Sequence, residues 1–313
     1  MTSSITDVPG IRVGQVERTG GGWLSGVTVV LPPPDTVGSV DVRGGGPATH
    51  ETDALDPTTL VRTVDAVVLT GGSAFGLASA SGVQRWCEEQ GRGFRTPNAL
   101  VPIVPAAAIY DLGRGGDVRA RPDARMGYDA AAAAGACADF APLRRGNAGA
   151  GTGAAVDFGR FKGGVGSASL RMDGTNAGIV VGALAVVNAA GRPAGSPGPA
   201  RPAEAGGPPL NTTLCVVATN AVLDPAEAKR TASAAHAGLA RALDPSHTLV
   251  DGDVVFCLAT CSQPLAGGGA LDPRWQLQVL AAEAVRLAIL DGVGSAEAVE
   301  TPGAGLAKYP DLT

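Results

Sequence analysis

The sequence predicts a mixed α/β fold, and two kinds of segment predict it. Short apolar runs rich in β-branched residues recur along the chain, and segments with helix-start signals lie between them. The strands and helices are interleaved without a regular βαβ repeat of one length. With 313 residues, 45% of them hydrophobic and 17% charged, the chain could form one large domain or two ordinary ones around an ample core.

Five apolar runs have the length and composition of strands. Each is rich in valine, isoleucine or threonine, the residues that a pleated and half-buried surface favours. We expect several of them to be buried on at least one face. The predicted strands are Val27–Leu31, Ala66–Thr70, Gly178–Val187, Leu214–Thr219 and Val254–Thr260.

Four segments have the length and the end signals of helices. In the third, Asp224 is a favoured N-cap, Pro225 suits the first helical position and Glu227 completes a box-like cap. The pair Asp272-Pro273 gives the fourth a similar start, and Gly292 predicts its end in a left-handed conformation. The predicted helices are Ala78–Gln90, Tyr128–Asp139, Pro225–Leu243 and Pro273–Asp291.

Charge and apolar patterning exclude several classes of partner. The formal net charge is −5, and the 24 Lys and Arg residues form no basic stripe, so we expect no nucleic-acid partner. No run approaches the roughly 18 apolar residues of a membrane span. The first residues, MTSSITDVPG, lack the basic start and apolar run of a signal peptide. We therefore expect a cytoplasmic protein with small-molecule or peptide partners and no membrane partner.

Cysteines and histidines indicate no metal site. The five cysteines show no CxxC spacing, so neither a zinc site nor a disulfide framework is predicted. Only three histidines are present, which argues against a multi-histidine metal cluster, although a single one could serve a catalytic dyad. We therefore expect no metal and no cofactor, and chemistry carried by hydroxyls, carboxylates and amines.

A segment without periodicity leads into the fourth predicted strand. Residues 190 to 209, AGRPAGSPGPARPAEAGGPP, are dominated by Pro, Gly and Ala and predict a loop or linker. Asn211 and Thr212 follow it, so a hydroxyl residue stands where a linker meets a strand. Threonine is common at strand starts, and the position alone is weak. A threonine whose α-amine is free, however, can use that amine as the base that activates its own hydroxyl.

Eight blocks of sequence resemble one family in the same order. They are ITDVPGIRVGQVE, DVRGGGPATHETDAL, AVVLTGGSAFGLASASGV, IVPAAAIYDL, GNAGAGTGA, KGGVGSAS, NTTLCVVATNA and HTLVDGDVVFCLAT, from residue 5 to about residue 260. Together they resemble the L-aminopeptidase/D-esterase family of self-processing N-terminal-nucleophile hydrolases. That family includes β-peptidyl aminopeptidases and nylon-oligomer hydrolases.

The resemblance implies a fold, a cut and an assembly. The fold implied is an αββα sandwich, shared with ornithine acetyltransferases, as one structural domain. The cut implied is at Asn211–Thr212, which gives a larger chain of residues 1–211, ending in the linker at 190–211, and a smaller chain of residues 212–313. Thr212 would then be the N-terminal nucleophile that cleaves short peptides, peptide amides or amino-acid esters through an acyl-enzyme. The processed units would form a homo-oligomer.

The resemblance also implies roles for residues around the nucleophile. Asp251 and Asp253 follow Thr212 by 39 and 41 residues; their spacing puts both carboxylates on one side of an extended segment, although Asp-Gly alone predicts a turn. Family members place an oxyanion-stabilising asparagine at the position of Asn188, which could otherwise be a turn residue. Tyr110 matches a substrate or oxyanion contact, although a tyrosine flanked by apolar residues is more often in the core.

Two further motifs are less direct. Many relatives carry a catalytic lysine where this chain has Phe158; Lys162 matches a second family lysine and could either replace the first or be structural. The segment Gly71-Gly72-Ser73 is not a phosphate loop, since no GK[ST] follows it. We expect it at the substrate pocket, with glycines that let main-chain N–H groups reach a substrate carbonyl.

Two other functions fit the same fold. One is acyl transfer of the ornithine acetyltransferase type, against which the NTT junction and the DGD segment favour hydrolysis. The other is a binding protein without catalysis, for which the missing lysine at Phe158 is the argument. Detection of self-cleavage would exclude the binding protein.

Overall fold

Valine-rich segments form two five-stranded sheets in the computed structural model, which describes residues 3–196, 210–267 and 271–310. All five predicted strands are confirmed, most with slightly different ends. In chain order the strands of the two sheets are β1 Arg12–Gly20, β2 Trp23–Leu31, β3 Val37–Val42, β4 Thr49–His50, β5 Val67–Thr70, β6 Ala106–Ala108, β7 Gly164–Arg171, β8 Val180–Asn188, β9 Thr212–Ala221 and β10 Val254–Gln263.

Each sheet combines antiparallel pairs with one parallel pair. The first has the order β1-β2-β5-β6-β4, in which β5 and β6 are parallel. The second has the order β7-β8-β9-β10-β3, in which β9 and β10 are parallel and all other neighbours antiparallel. Parallel neighbours need a crossover, and a long helix connects β9 to β10.

Helices cover the outer face of each sheet. The principal helices are α1 Ser79–Glu89, α2 Ala124–Ala136, α3 Pro225–Ala242 and α4 Pro273–Gly294. Apolar side chains of α1 and α2 pack on the first sheet, and those of α3 and α4 pack on the second. A third apolar cluster fills the space between the two sheets. The predicted αββα sandwich is therefore confirmed.

Alternation along β9 assigns its two faces. Leu214 and Val216 are buried between the sheets, whereas Cys215 and Val217 are buried against the helices. Thr212 has the same parity as Leu214 and therefore lies at the end of the layer between the sheets.

Helices form at all four predicted places, but the second is Ala124–Ala136 and so begins four residues before the predicted Tyr128–Asp139. The Asp224 side chain accepts a hydrogen bond from the Glu227 main-chain N–H, and the Glu227 side chain accepts one from the Asp224 main-chain N–H, so the predicted capping box is confirmed. The prediction that Gly292 ends α4 is wrong, since the helix continues to Gly294. A Cβ at position 292 would lie 2.9 Å from the Gly166 nitrogen, so this glycine allows the helix to approach β7 closely.

Short elements complete the chain. Arg192–Pro193 pairs with Leu243–Asp244, so the start of the predicted linker is hydrogen-bonded to the body of the protein. Its residues 197–209 lie outside the described residues. Within the described part, no helix is long and apolar enough to cross a membrane. The remaining short elements are strands Phe94–Arg95, Leu100–Val101, Ala155–Val156, Phe161–Lys162, Val299–Thr301 and Ala304–Leu306, helix Ser73–Gly76, and 3-10 turns Ile5–Asp7, Asp53–Leu55, Gly149–Gly151 and Gly174–Asn176.

Candidate active site

Strand order brings the predicted residues to one edge of the second sheet. Thr212 is the first residue of β9, and Asn188, the last residue of β8, is its direct antiparallel partner. Because β9 and β10 are parallel, the segment that precedes β10 lies beside the start of β9. That segment contains Asp251 and Asp253, and all four side chains are buried.

The bond before Thr212 is held against the DGD segment. Asn211 donates its main-chain N–H to Val250 O at 2.9 Å, and its carbonyl accepts the Gly252 N–H, also at 2.9 Å. The Thr212 hydroxyl donates to the same carbonyl oxygen. Any side chain at position 252 would disturb this arrangement, since a Cβ there would lie 2.7 Å from Thr212 Oγ1. Gly252 thus lets a main-chain donor and the threonine hydroxyl meet at one carbonyl.

Hydrogen bonds orient both carboxylates. Asp253 Oδ1 accepts the N–H of Thr213 at 2.8 Å, which ties it to the start of β9. Asp251 Oδ2 accepts the Thr248 hydroxyl at 2.5 Å, and its Oδ1 accepts the Ala190 N–H at 3.3 Å. The i, i+2 spacing thus places two buried acidic groups next to the threonine.

The burial of Asp251 and its nearness to Asp253 change its pKa. Burial raises its pKa, and the negative charge of Asp253 raises it further. Hydrogen bonds from Thr248 and Ala190 oppose the shift without cancelling it. A positive charge near the pair would stabilise the ionised form.

Asn188 is held in one orientation. Its Oδ1 accepts hydrogen bonds from the Arg114 guanidinium and from the Ala155 N–H, the latter at 3.1 Å. With the oxygen occupied twice, the amide nitrogen must point the other way, where its contact is the Tyr110 carbonyl at 3.4 Å. That contact is long, so the nitrogen keeps donor capacity. Tyr110, which the resemblance predicts as a substrate or oxyanion contact, contacts Asn188 through its main-chain carbonyl.

Arg114 and Asp111 belong to this site, and the sequence analysis did not select them. The Asp111 carboxylate accepts the Ser25 hydroxyl at 2.8 Å, and its burial raises its pKa. Burial lowers the pKa of Arg114, while the charge of Asp111 counteracts that effect. Asp111 lies within the family-like block IYDL, which could have drawn attention to it; no motif indicated Arg114.

The sequence predicts that the glycines at Gly71-Gly72-Ser73 let main-chain N–H groups reach a substrate carbonyl, and this reason for them is wrong. All three main-chain N–H groups already donate within the protein, so they are not aimed at a substrate. A Cβ at position 71 would lie 2.2 Å from Asp111 Oδ2, so close packing requires the first glycine. A contact of this segment with substrate stays a prediction. The three acceptors are Gly26 O at 2.9 Å, Asp111 Oδ1 at 2.6 Å and Ile109 O at 2.9 Å.

Main-chain carbonyls bind the side chain of Lys162. Its fully buried nitrogen donates to the carbonyls of Gly151, Ala154 and Gly163 at 2.7, 2.9 and 2.6 Å. Burial lowers its pKa well below that of an ordinary lysine, and the charge of Arg114 lowers it further. The three bonds favour the structural one of its two predicted alternatives. Phe158 lies at the tip of the preceding turn, with φ at 53°. Neither residue makes a hydrogen bond to Thr212 in the described part of the chain.

Comparison with known proteins gives one family and close relatives. The family model described as Peptidase family S58 matches residues 3–305. An uncharacterized aminopeptidase of Mycobacterium tuberculosis (strain ATCC 25618 / H37Rv) is 48% identical over 351 residues, which cover 99% of this chain and 98% of the relative.

Two solved structures have the same fold. A β-aminopeptidase from a Burkholderia species superimposes with a TM-score of 0.72 at 26% identity and covers 98% of this chain and 91% of its own. An L-aminopeptidase D-Ala-esterase/amidase from Ochrobactrum anthropi, described as a variant of the Ntn hydrolase fold, has a TM-score of 0.76 at 22% identity, with 99% and 92% coverage. The chain therefore belongs to peptidase family S58, which confirms the predicted hydrolase and its peptide-type substrate.

Proposed function

We propose that this chain is a self-processing aminopeptidase whose nucleophile is Thr212. One observation carries the proposal: the Thr212 hydroxyl, the Asn211 carbonyl and the Gly252 N–H meet at the buried start of β9. The names of the relatives support the aminopeptidase activity. Short peptides, peptide amides and amino-acid esters are the proposed substrates.

The same groups can carry out the cut. Thr212 Oγ attacks the Asn211 carbonyl carbon, and the Gly252 N–H stabilises the negative charge that develops on its oxygen. The hydroxyl proton passes to the Thr212 nitrogen as the C–N bond breaks, so that nitrogen becomes the free α-amine and an ester joins Asn211 to Oγ. Water hydrolyses that ester, which frees the hydroxyl and leaves a carboxylate on Asn211. The products are residues 1–211 and 212–313.

In the processed enzyme the free amine is the base. It takes the hydroxyl proton as Thr212 Oγ attacks a substrate carbonyl, and the acyl-enzyme forms as the leaving amine departs. Asp251 and Asp253 hold the resulting ammonium. Asn188 donates its amide N–H to the oxyanion, in the orientation that Arg114 fixes.

The proposal selects Thr212 over its neighbour. Thr213 has the parity of Cys215 and so faces the helices. Its buried hydroxyl has no hydrogen-bond partner in the part of the chain that the structure describes. We also propose, on the resemblance alone, that the processed units assemble into a homo-oligomer.

Intact mass spectrometry of the purified protein tests the cut. We expect two fragments that begin at the N-terminus of the chain and at Thr212. Thr212→Ala should give one uncut, inactive chain, because it removes the hydroxyl. The matched control Thr213→Ala should be cut and active. Thr212→Ser should also be cut, because the hydroxyl is kept.

Two results would contradict the proposal. A wild-type chain that stays whole and still hydrolyses peptides would exclude an N-terminal nucleophile at position 212. A Thr212→Ala chain that is cut and active, next to an inactive Thr213→Ala chain, would move the nucleophile by one residue.

A further inference from the structure

His247 contacts the carboxylate that binds the start of β9. Its Nδ1 lies 2.8 Å from Asp253 Oδ2, and its main-chain N–H donates to the same oxygen at 2.9 Å. The other oxygen of Asp253 accepts the N–H of Thr213. The carboxylate therefore bridges the histidine and the peptide unit that follows Thr212.

We propose that His247 is a positioning residue of the hydrolase, which fixes Asp253 and through it the peptide unit that carries the nucleophile. The inference rests on the proposed role of Thr212. His247 makes no hydrogen bond to Thr212 in the described part of the chain, so its effect passes through the carboxylate. A carboxylate held by donors on both oxygens has one orientation, and its distance to the adjacent amine is then constant.

The backbone of His247 is strained in a way that serves this contact. Its φ is 57°, a left-handed conformation that costs free energy in a residue with a side chain. This conformation accompanies the placement of the main-chain N–H and Nδ1 on the same carboxylate oxygen. Strain of this kind persists where surrounding contacts enforce it.

A second imidazole supports the first. His236, on α3, packs edge-on against His247 with 4.8 Å between ring centroids. It is almost fully buried, and its Nε2 lies 3.0 Å from the Asp41 carbonyl, so this nitrogen must carry the proton. Burial lowers its pKa to about 4, although the hydrogen bond to the Asp41 carbonyl opposes that effect. His236 is therefore uncharged at pH 7, and its ring packs against that of His247.

The surroundings of His247 determine which hydrogen bonds its ring makes. Its Nε2 is buried and has no hydrogen-bond partner among residues 3–196, 210–267 and 271–310. The bond to Asp253 needs a proton on Nδ1, because a carboxylate oxygen accepts hydrogen bonds. The charged groups around it are Asp253, Asp251 on the same loop, and Asp41 and Arg43 beyond His236. An asparagine amide could make the same single donation.

The test compares two substitutions of His247 with a substitution of an exposed histidine. We expect His247→Ala to lower kcat on an amino-acid p-nitroanilide by about 100-fold, with little change in KM, and to slow self-cleavage. His247→Asn should restore most of kcat and keep the wild-type pH profile. His50→Asn, at an exposed residue of β4, should behave as wild type.

The outcomes distinguish a positioning role of His247 from a role in proton transfer. If His247→Ala keeps wild-type kcat, the inference is wrong. If His247→Asn is as impaired as His247→Ala or shifts the pH profile, His247 transfers protons and does not only position Asp253. Should His247→Ala fail to fold by circular dichroism, kcat and the pH profile of His247→Asn decide alone. Activity in Thr212→Ala would instead overturn the proposed function, whatever the His247 variants do.

Discussion

Two neighbours decide the direction of the Asn188 side chain. An amide can turn by 180° with almost no change in shape, and only its hydrogen bonds separate the two orientations. Arg114 and Ala155 both donate to one end of this amide, so that end is the oxygen. The donor end consequently points to the side of the Tyr110 carbonyl, where we propose that the substrate oxyanion develops.

Removal of this donor should reduce turnover. We expect Asn188→Ala to lower kcat by about two to three orders of magnitude, the usual effect of one lost oxyanion donor. Arg114→Leu should lower kcat less, because the amide remains but is no longer fixed. Steady-state kinetics on the processed enzymes measures both. A normally processed Asn188→Ala enzyme with wild-type kcat would remove Asn188 from the site.

The raised pKa of Asp251 should be visible in the pH dependence of activity. The Thr212 ammonium needs an ionised carboxylate, so activity should fall as pH drops through the pKa of Asp251, which burial and Asp253 raise and the ammonium lowers. Thr248→Val removes a hydrogen bond that lowers this pKa. The acid limb of kcat/KM should therefore move to higher pH. An unchanged or lower acid limb would show that Asp251 does not control it.

Among the elements, helices α3 and α4 approach each other closely at a glycine. A Cβ at Gly238 would lie 1.8 Å from the Ala282 carbonyl oxygen on α4. No side-chain rotation can relieve that contact, because both atoms belong to rigid parts of the helices. The helix pair must therefore separate if position 238 gains a side chain.

Gly238→Ala should destabilise the protein although alanine favours helices. Overpacking costs about 1–3 kcal/mol, more than the roughly 1 kcal/mol that the better helix propensity contributes. Ala237→Gly, at the exposed neighbouring position, is the control that measures the propensity effect alone. Urea unfolding of both variants gives the comparison. A stabilised Gly238→Ala would mean that the helices can separate without loss.

The sequence predicts those elements whose defining residues lie within a few positions of one another. The five apolar runs and the cap at Asp224 each contain their own evidence in a few residues. Strand β4, only Thr49–His50, was not predicted, because it exists only through its pairing with Ala106 and Ala107. Gly292 was misread for a similar reason: its small size serves packing against β7, which its neighbours in sequence cannot reveal.

At the scale of the whole molecule, the same limit applies to the site. Thr212, Asn188, Asp251 and Asp253 were predicted together because their sequence blocks match one family, and strand order then explains why they lie together. Arg114 reaches Asn188 across 74 residues, and a spacing of that length predicts no contact. The role of Arg114 depends on a contact between segments that are far apart in sequence, so only the three-dimensional structure reveals it.

The pairing of Asn211 with the DGD segment has a consequence for maturation. The cut would turn residue 211 into a chain end whose new carboxylate lies beside Asp251 and Asp253, next to the new ammonium of Thr212. Like charges at such short range repel, so the new chain end at residue 211 would be driven away from the DGD segment. Added salt screens that repulsion and would prolong the stay of this chain end. Maturation would then have a lag set by departure of the chain end, separate from the bond cleavage itself.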